Sequence, residues 1–259
     1  MEILHTKLNG LVKANLFDND IWELEFFRML ENPSRPHIKW EMLVTWAENM
    51  MRASYGFQTY VLTLAARAQD EKVRRLLLEN AWEELGDHEY PKRSHFQMIC
   101  NLSRLCGIPE ENIKCPSMLP TSKNHIQTHI ERCKNAPFLQ ALGMIFLIEN
   151  LTRLEFEKLL RGFIKFWEIG TGRPLEDFVL NGGTEYFTSN MEADDGHAED
   201  VEVMIIECLQ SAGVDINDEK QLQPYLDEIS RGMAESAELR KGFLKGVYDF
   251  VLSQHRIAA

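Results

Sequence analysis

The sequence predicts an all-α protein of seven or eight helices, forming a single domain over residues 1–259. Three observations carry that prediction. Apolar residues recur at i, i+3, i+4 and i+7 through most of the chain, the spacing of one helix face. No stretch alternates apolar and polar residues for long enough to make a strand. Proline-rich segments punctuate the periodic runs, and there are no internal repeats or low-complexity tracts.

Taken in order, residues 1 to about 32 read as helix, with Ile3, Leu8, Leu11 and Val12 and then Ile21, Leu24, Phe27 and Leu30 on helical spacing. ENPSRPH stops it, because its two prolines, Pro33 and Pro36, disfavour continued helix. A long amphipathic run follows from Trp40 to about Ala68. Asp70 is placed to cap the next helix, Gly86 to interrupt it and Pro91 to end it. Helix resumes near Ser94 and runs to Cys106, with Gly107 as a C-terminal glycine. Residues 108–121 hold three prolines and read as loop, and helix returns over 122–135. Pro137 opens a helix running toward Trp167. After the loop GTGRPLEDFVLNGG, a helix spans about 184–212, and a last one covers roughly 233–255.

Composition narrows the function classes. A hydrophobic content of 44% and a charged content of 26% are those of a globular protein. No run approaches the roughly 18 apolar residues of a membrane span, and no leader is visible at the N-terminus, so a cytoplasmic protein is expected. Net charge is −12, with 40 acidic against 28 basic residues, which argues against nucleic acid and anionic membranes as partners. Five cysteines without CxxC spacing give neither a disulfide framework nor a thiolate metal site.

Several polar residues are not explained by the helical faces. In NMEADDGH, Asn190, Asp194 and His197 fall at i, i+4 and i+7 and share one face, either as a polar surface stripe or as ligands pointing into a bundle. Glu149 sits among apolar residues in ALGMIFLIENLTRL, where a carboxylate must be paired, hydrogen-bonded or bound to a cation; an exposed edge or a pair with Arg153 would also account for it. Glu84 and His95 flank the break at Gly86, with His88 a competing candidate four residues after Glu84. Repeated Glu and His at helical spacing is how carboxylate-bridged di-metal sites are built in bundles, and iron and manganese favour that mixture of oxygen and imidazole nitrogen.

No rival site assembles. There is no G-x-S-x-G, phosphate loop or dinucleotide fingerprint, and GTGRP is a turn. His125 and His129 stand at i, i+4 but lack an HExxH glutamate, in a helix that reads as polar and close to a loop.

The order FFRMLENP, WAENMMRASYGF, LLLENAWEELG, His95 twelve residues before Gly107, then LPTS, the Glu149 helix and the YFxxN helix resembles a known family. It is similar to the haem-oxygenase-like fold shared by thiaminase-II proteins, pyrroloquinoline-quinone synthase and the haem-oxygenase-like diiron oxidases, over about 22–214. The resemblance implies a helical bundle with metal ligands Glu84, His95, Glu149, Asp194 and His197. The diiron branch carries histidine where this chain carries Asn190, so one metal site should be weakened, with Asn190, water or His88 completing it.

What the resemblance implies for function is an O2-activating oxidase or oxygenase. Two Fe(II) ions bridged by Glu149 would bind O2 as a peroxo species, and this would remove hydrogen from carbon or oxidise an amine of a small amino-acid-like or fatty-acid-like substrate. Glu149 and Asn190 are the residues placed closest to the chemistry, Asn190 as a weak ligand or as a donor orienting one. Met50, Met51, Tyr55 and Phe57 either line a pocket or fill the core. Arg52, Arg153, Lys158 and Arg161 are the cations considered for a substrate carboxylate. A homodimer is a common assembly of this fold. The alternatives are a metal-free or single-metal enzyme, such as a thiaminase-II-like hydrolase with Cys133 or Cys208 as nucleophile or a cofactorless oxidase, and a binding protein with a degenerate site.

Overall fold

The computed structural model describes the backbone of residues 2–32, 34–86 and 93–257, and the side chains of these residues except 2, 193–195 and 256–257. It is all-helical. Among the described residues, eight helices have eleven or more residues: α1 (Glu2–Val12), α3 (Pro36–Arg67), α4 (Glu71–Leu85), α5 (His95–Leu105), α7 (Pro120–Asn135), α8 (Phe138–Thr171), α10 (Glu185–Ser211) and α11 (Glu219–Ile257). Three short ones, α2 (Glu25–Glu31), α6 (Glu110–Lys114) and α9 (Leu175–Leu180), sit in the connections. The expected all-α class and helix number are therefore seen.

Local sequence sets most of the boundaries. Asp70 accepts from the backbone N–H of Lys72 at 2.9 Å and of Val73 at 3.1 Å, capping α4 as expected. Gly86 ends it with φ +80°, a conformation open to glycine. Ser94 and Gln97 form a reciprocal capping box that starts α5 at His95.

Four segments depart from the expectation. The expected loops over 108–121 and 170–183 each hold a short helix, α6 and α9. The opening is not one helix: α1 runs into a π-helical turn (Lys13–Phe17) and a 3-10 turn (Asp20–Glu23) before α2. Side chains fix that bend. Asn19 accepts from Ile21 N–H at 3.2 Å, and the Trp22 indole donates to the Leu16 carbonyl at 2.7 Å. The last helix begins at Glu219, not Met233, and carries Pro224 within it. Leu222, Leu226, Ile229 and Met233 are all buried, so the apolar stripe continues upstream and its packing outweighs the one backbone hydrogen bond that Pro224 removes.

Helices α3 and α8 pack on each other at the centre. Helices α4, α5 and α10 pack together on one side of this pair, and α7 and α11 on the other. Aromatic rings fill the middle: Trp46 of α3 stacks on Phe187 of α10 at 5.9 Å and meets Phe156 of α8 edge-on at 5.8 Å. The α8–α11 crossing is tight in both directions. A Cβ on Gly143 would run into the Ile229 backbone, and one on Gly232 into the Gln140 carbonyl.

Backbone atoms cannot yield as a side-chain tip can, so Gly232→Ala should destabilise the protein by about 1–3 kcal/mol. Chemical denaturation measures this. The same change at Gly242, which has open space around it, should cost far less.

Candidate metal centre

The Gly86 stop and the Ser94 capping box bring the end of α4 against the start of α5. Glu84 and His95 are both buried there, with Glu84 Oε1 and His95 Nδ1 2.8 Å apart. Gln58 of α3 donates to the Glu84 backbone carbonyl at 3.0 Å, which ties this corner to the central pair.

Glu149 lies on α8 with 3% of its surface exposed. One oxygen accepts from the Asn80 amide of α4 at 3.0 Å, and the other is 3.8 Å from His197 Nδ1 of α10. His197 Nε2 is 3.0 Å from Glu83 Oε2. Burial works against a charged ring here. The nearby Glu149 carboxylate, followed by the Glu83 hydrogen bond and the charge of Glu84, outweighs that effect and raises the His197 pKa to about 9. The ring is therefore an imidazolium at neutral pH.

Asn190 is buried and lines one cavity together with Glu84 and Glu149. Its amide nitrogen donates to the Tyr186 carbonyl one turn back at 2.6 Å, which leaves Oδ1 as the atom to offer a neighbour. One of its two amide hydrogens is therefore committed to its own helix, while Oδ1 and the second hydrogen have no such partner within α10. Asp194 lies on the α10 backbone one turn further on, its side chain outside the described residues, and His88 is outside them altogether.

The structure thus brings the predicted residues together as two acid–imidazole pairs, Glu84–His95 and Glu149–His197, rather than as a closed cage. Among the described residues, no three His, Cys, Asp or Glu side chains converge as a metal site. The donor set nonetheless fits iron, being carboxylate oxygen and imidazole nitrogen throughout. Asn80 Oδ1 and His197 Nδ1 are buried without a hydrogen-bond partner, which leaves polar atoms of the site unsatisfied.

Comparison with known proteins now bears on this geometry. A model of the iron-containing redox enzyme family matches residues 44–223, more than half of the chain. The chain belongs to that family. A protein of Chlamydia muridarum named 4-aminobenzoate synthase is 24% identical over 201 residues, covering 75% of this chain and 79% of that protein. A CADD-like protein of unknown function from Nostoc punctiforme superposes with TM-score 0.69 at 14% identity, covering 97% of this chain and 95% of that one. A Shewanella denitrificans domain with a haem-oxygenase-like fold gives TM-score 0.65 at 15% identity, covering 97% and 93%. The family member has the haem-oxygenase-like fold that its sequence resembled.

The cavity is about 60 Å³ and runs from Glu84, Glu149 and Asn190 to Arg240 of α11. Met50 and Phe57 line it, whereas Met51 is in the core and Tyr55 lies outside against Phe96. None of Arg52, Arg153, Lys158 and Arg161 lines it; the cation there is Arg240, held by Glu155. Sequence reasoning missed this pair, although the same signal that marked Glu149 marks both. Glu155 falls between Leu151 and Leu159, and Arg240 between Ala237 and Leu244, on buried helix faces.

His125 and His129 are not on a polar helix surface: both are buried, and both His129 nitrogens are occupied, by the His125 carbonyl at 2.7 Å and Ser236 Oγ at 3.0 Å. All five cysteines are free. Burial pushes the Cys133 and Cys208 thiols up to about 12, the latter helped by the charges of Asp70 and Glu207, and neither lines the cavity. A thiaminase-like cysteine nucleophile is not available there.

His197 supplies a pH test. Its folded pKa is raised above the unfolded value of about 6.5, so its contribution to stability is complete below about pH 6.5 and is lost as pH rises through about 9. The metal-free protein should lose stability of the order of 3 kcal/mol across that window. His197→Gln should remove that loss, as read by denaturation at both ends of the range.

Proposed function

We propose that this family member is a non-haem iron oxidoreductase that uses two Fe(II) ions and O2 to oxidise a small biosynthetic substrate. The observation that carries the reading is the pair of buried acid–imidazole contacts whose carboxylates, Glu84 and Glu149, line one cavity. Glu84, His95, Glu149, Asp194 and His197 would hold the metal. When bound, iron supplies the activation of O2 that no protein side chain provides.

The chain's own residues do the rest. Asn80 fixes one oxygen of Glu149 and so orients its carboxylate. Glu83 engages the outer nitrogen of His197, fixing the ring so that Nδ1 faces Glu149. His197 must give up a proton before Nδ1 can coordinate. Asn190 offers a neutral amide oxygen, a weaker iron donor than the histidine of the diiron branch, so the second ion is held less tightly than the first. Phe57, Phe156 and Met50 keep the approach to these groups apolar and limit water.

Relatives named 4-aminobenzoate synthase support a biosynthetic role and add small aromatic molecules to the amino-acid-like and fatty-acid-like candidates. The net charge of −12 disfavours nucleic acid as a partner, and no described helix is long and apolar enough to cross a membrane. Asn190 favours one second reading, a single-metal enzyme of the same fold.

Anaerobic addition of Fe(II), followed by air, separates these readings. The proposal expects two ions per chain at saturating iron and a transient visible absorbance on exposure to air. Asn190→His should tighten the second ion by about tenfold or more, and Glu149→Ala should abolish the absorbance. Occupancy that stops at one ion supports the single-metal reading. A protein that stays colourless and binds no iron would refute both.

A second readout needs no turnover. Loading metal at pH 7.5 should release close to one proton per chain from His197, visible with an indicator dye, and this release should vanish in His197→Gln.

A further inference from the structure

The cavity has two chemically different ends. Carboxylates line the side built from α4, α8 and α10, whereas the other side, built from α3, α7 and α11, presents Tyr60, His125, Ser236 and Arg240. Two polar atoms at this second end, Tyr60 Oη and His125 Nδ1, are buried without a hydrogen-bond partner. Such atoms are costly to leave unsatisfied, and they mark where a ligand group or water belongs.

Hydrogen-bond logic assigns their roles. The His125 backbone carbonyl can only accept, so His129 Nδ1 carries the proton it donates there at 2.7 Å. His129 Nε2 is then bare and accepts from the Ser236 hydroxyl at 3.0 Å. Burial, followed by His129 and Arg240, holds the His125 pKa well below the usual histidine value. The ring is neutral, and its buried Nδ1 is left without a partner. Burial also raises the Tyr60 pKa, so its hydroxyl remains a donor.

Charge decides between ligand classes. The Arg240 guanidinium is engaged by both oxygens of Glu155, Nε to Oε2 at 2.8 Å, so no net positive charge remains. Its Nη1 meets only the Met50 sulfur, at 3.7 Å. A carboxylate placed here would be desolvated and would lack an uncompensated cation. A hydroxyl both donates and accepts, so one group can serve both orphans, accepting from Tyr60 and donating to a bare His125 Nδ1.

We infer that this end of the cavity binds an uncharged hydroxyl group, that of a small alcohol or phenol, between Tyr60 Oη and His125 Nδ1. The rest of the molecule lies against Met50, Phe57 and Phe156, toward Glu149. The inference rests on the proposed function for which group of the substrate it describes, while the binding itself requires no metal.

The test uses the full chain, metal-free and iron-loaded, with benzyl alcohol, toluene and benzoate as matched probes, followed by titration and by the nitrogen resonances of the histidine rings. Benzyl alcohol should bind about fivefold or more tightly than toluene and benzoate in the metal-free protein. It should also shift the His125 Nδ1 resonance in the direction of an accepted hydrogen bond. Tyr60→Phe, which keeps the ring and its packing, should erase the preference while leaving toluene binding unchanged. His125→Phe should do the same if it folds.

Benzoate binding as well as benzyl alcohol overturns the inference. So does toluene binding equally well, the result expected if only water serves these atoms. Failure of all three probes to bind, or a preference that survives Tyr60→Phe, also overturns it. Iron stoichiometry on the same preparations scores the metal reading separately, so either can fail alone.

Discussion

Burying the Glu149 carboxylate in the middle of an apolar helix is the constraint around which this bundle is arranged. Left alone, such a group would cost several kcal/mol or give up its charge. It is answered from two other helices, by the Asn80 amide of α4 and by His197 of α10. Neither contact is local in sequence, so each sets the register of a whole helix against α8. The Asp70 cap and the Gly86 stop then determine how far α4 extends and where Glu84 emerges against His95.

Helix α8 also carries a second buried acid, Glu155, pointed the other way. Glu155 pairs with Arg240 of α11, and α11 approaches closely because Gly143 and Gly232 let the two backbones meet. One helix thus presents a carboxylate to each side of the molecule. On the α4 and α10 side the partners are imidazole and amide, groups a metal ion can displace or share. On the α11 side the partner is a guanidinium, which neutralises the acid permanently and takes no metal. The contrast gives the cavity two chemically different ends, with aromatic walls between.

Much of this was legible from residues in order. Acidic and imidazole groups on apolar helix faces have few structural excuses, and this singled out Glu149, Glu84, His95 and His197; all four are buried. The identical signal is present at Glu155 and Arg240, and His125, which reads as part of a polar helix, is buried as well. Arg240 lies in a polar run, ELRKGF, in which only helix phase shows that it shares the buried face of Ala237 and Leu244. His125 lies in a segment of low mean hydropathy whose inward stripe is narrow. The start of α11 was misplaced for a related reason: a proline and several polar residues obscure a stripe that packing makes worthwhile.

By itself, the sequence determined the helical class, most helix ends and the residue types available for a metal. These follow from local rules, namely periodicity, capping atoms, glycine and proline, because each depends on neighbours within a turn or two. Only the tertiary structure decided which acid meets which imidazole, that Asn190 lines the same cavity as Glu84 and Glu149, and that Arg240 arrives neutralised. Those outcomes depend on how helices far apart in sequence cross, and the crossings are set by burial and by close backbone approach, which a linear pattern does not encode.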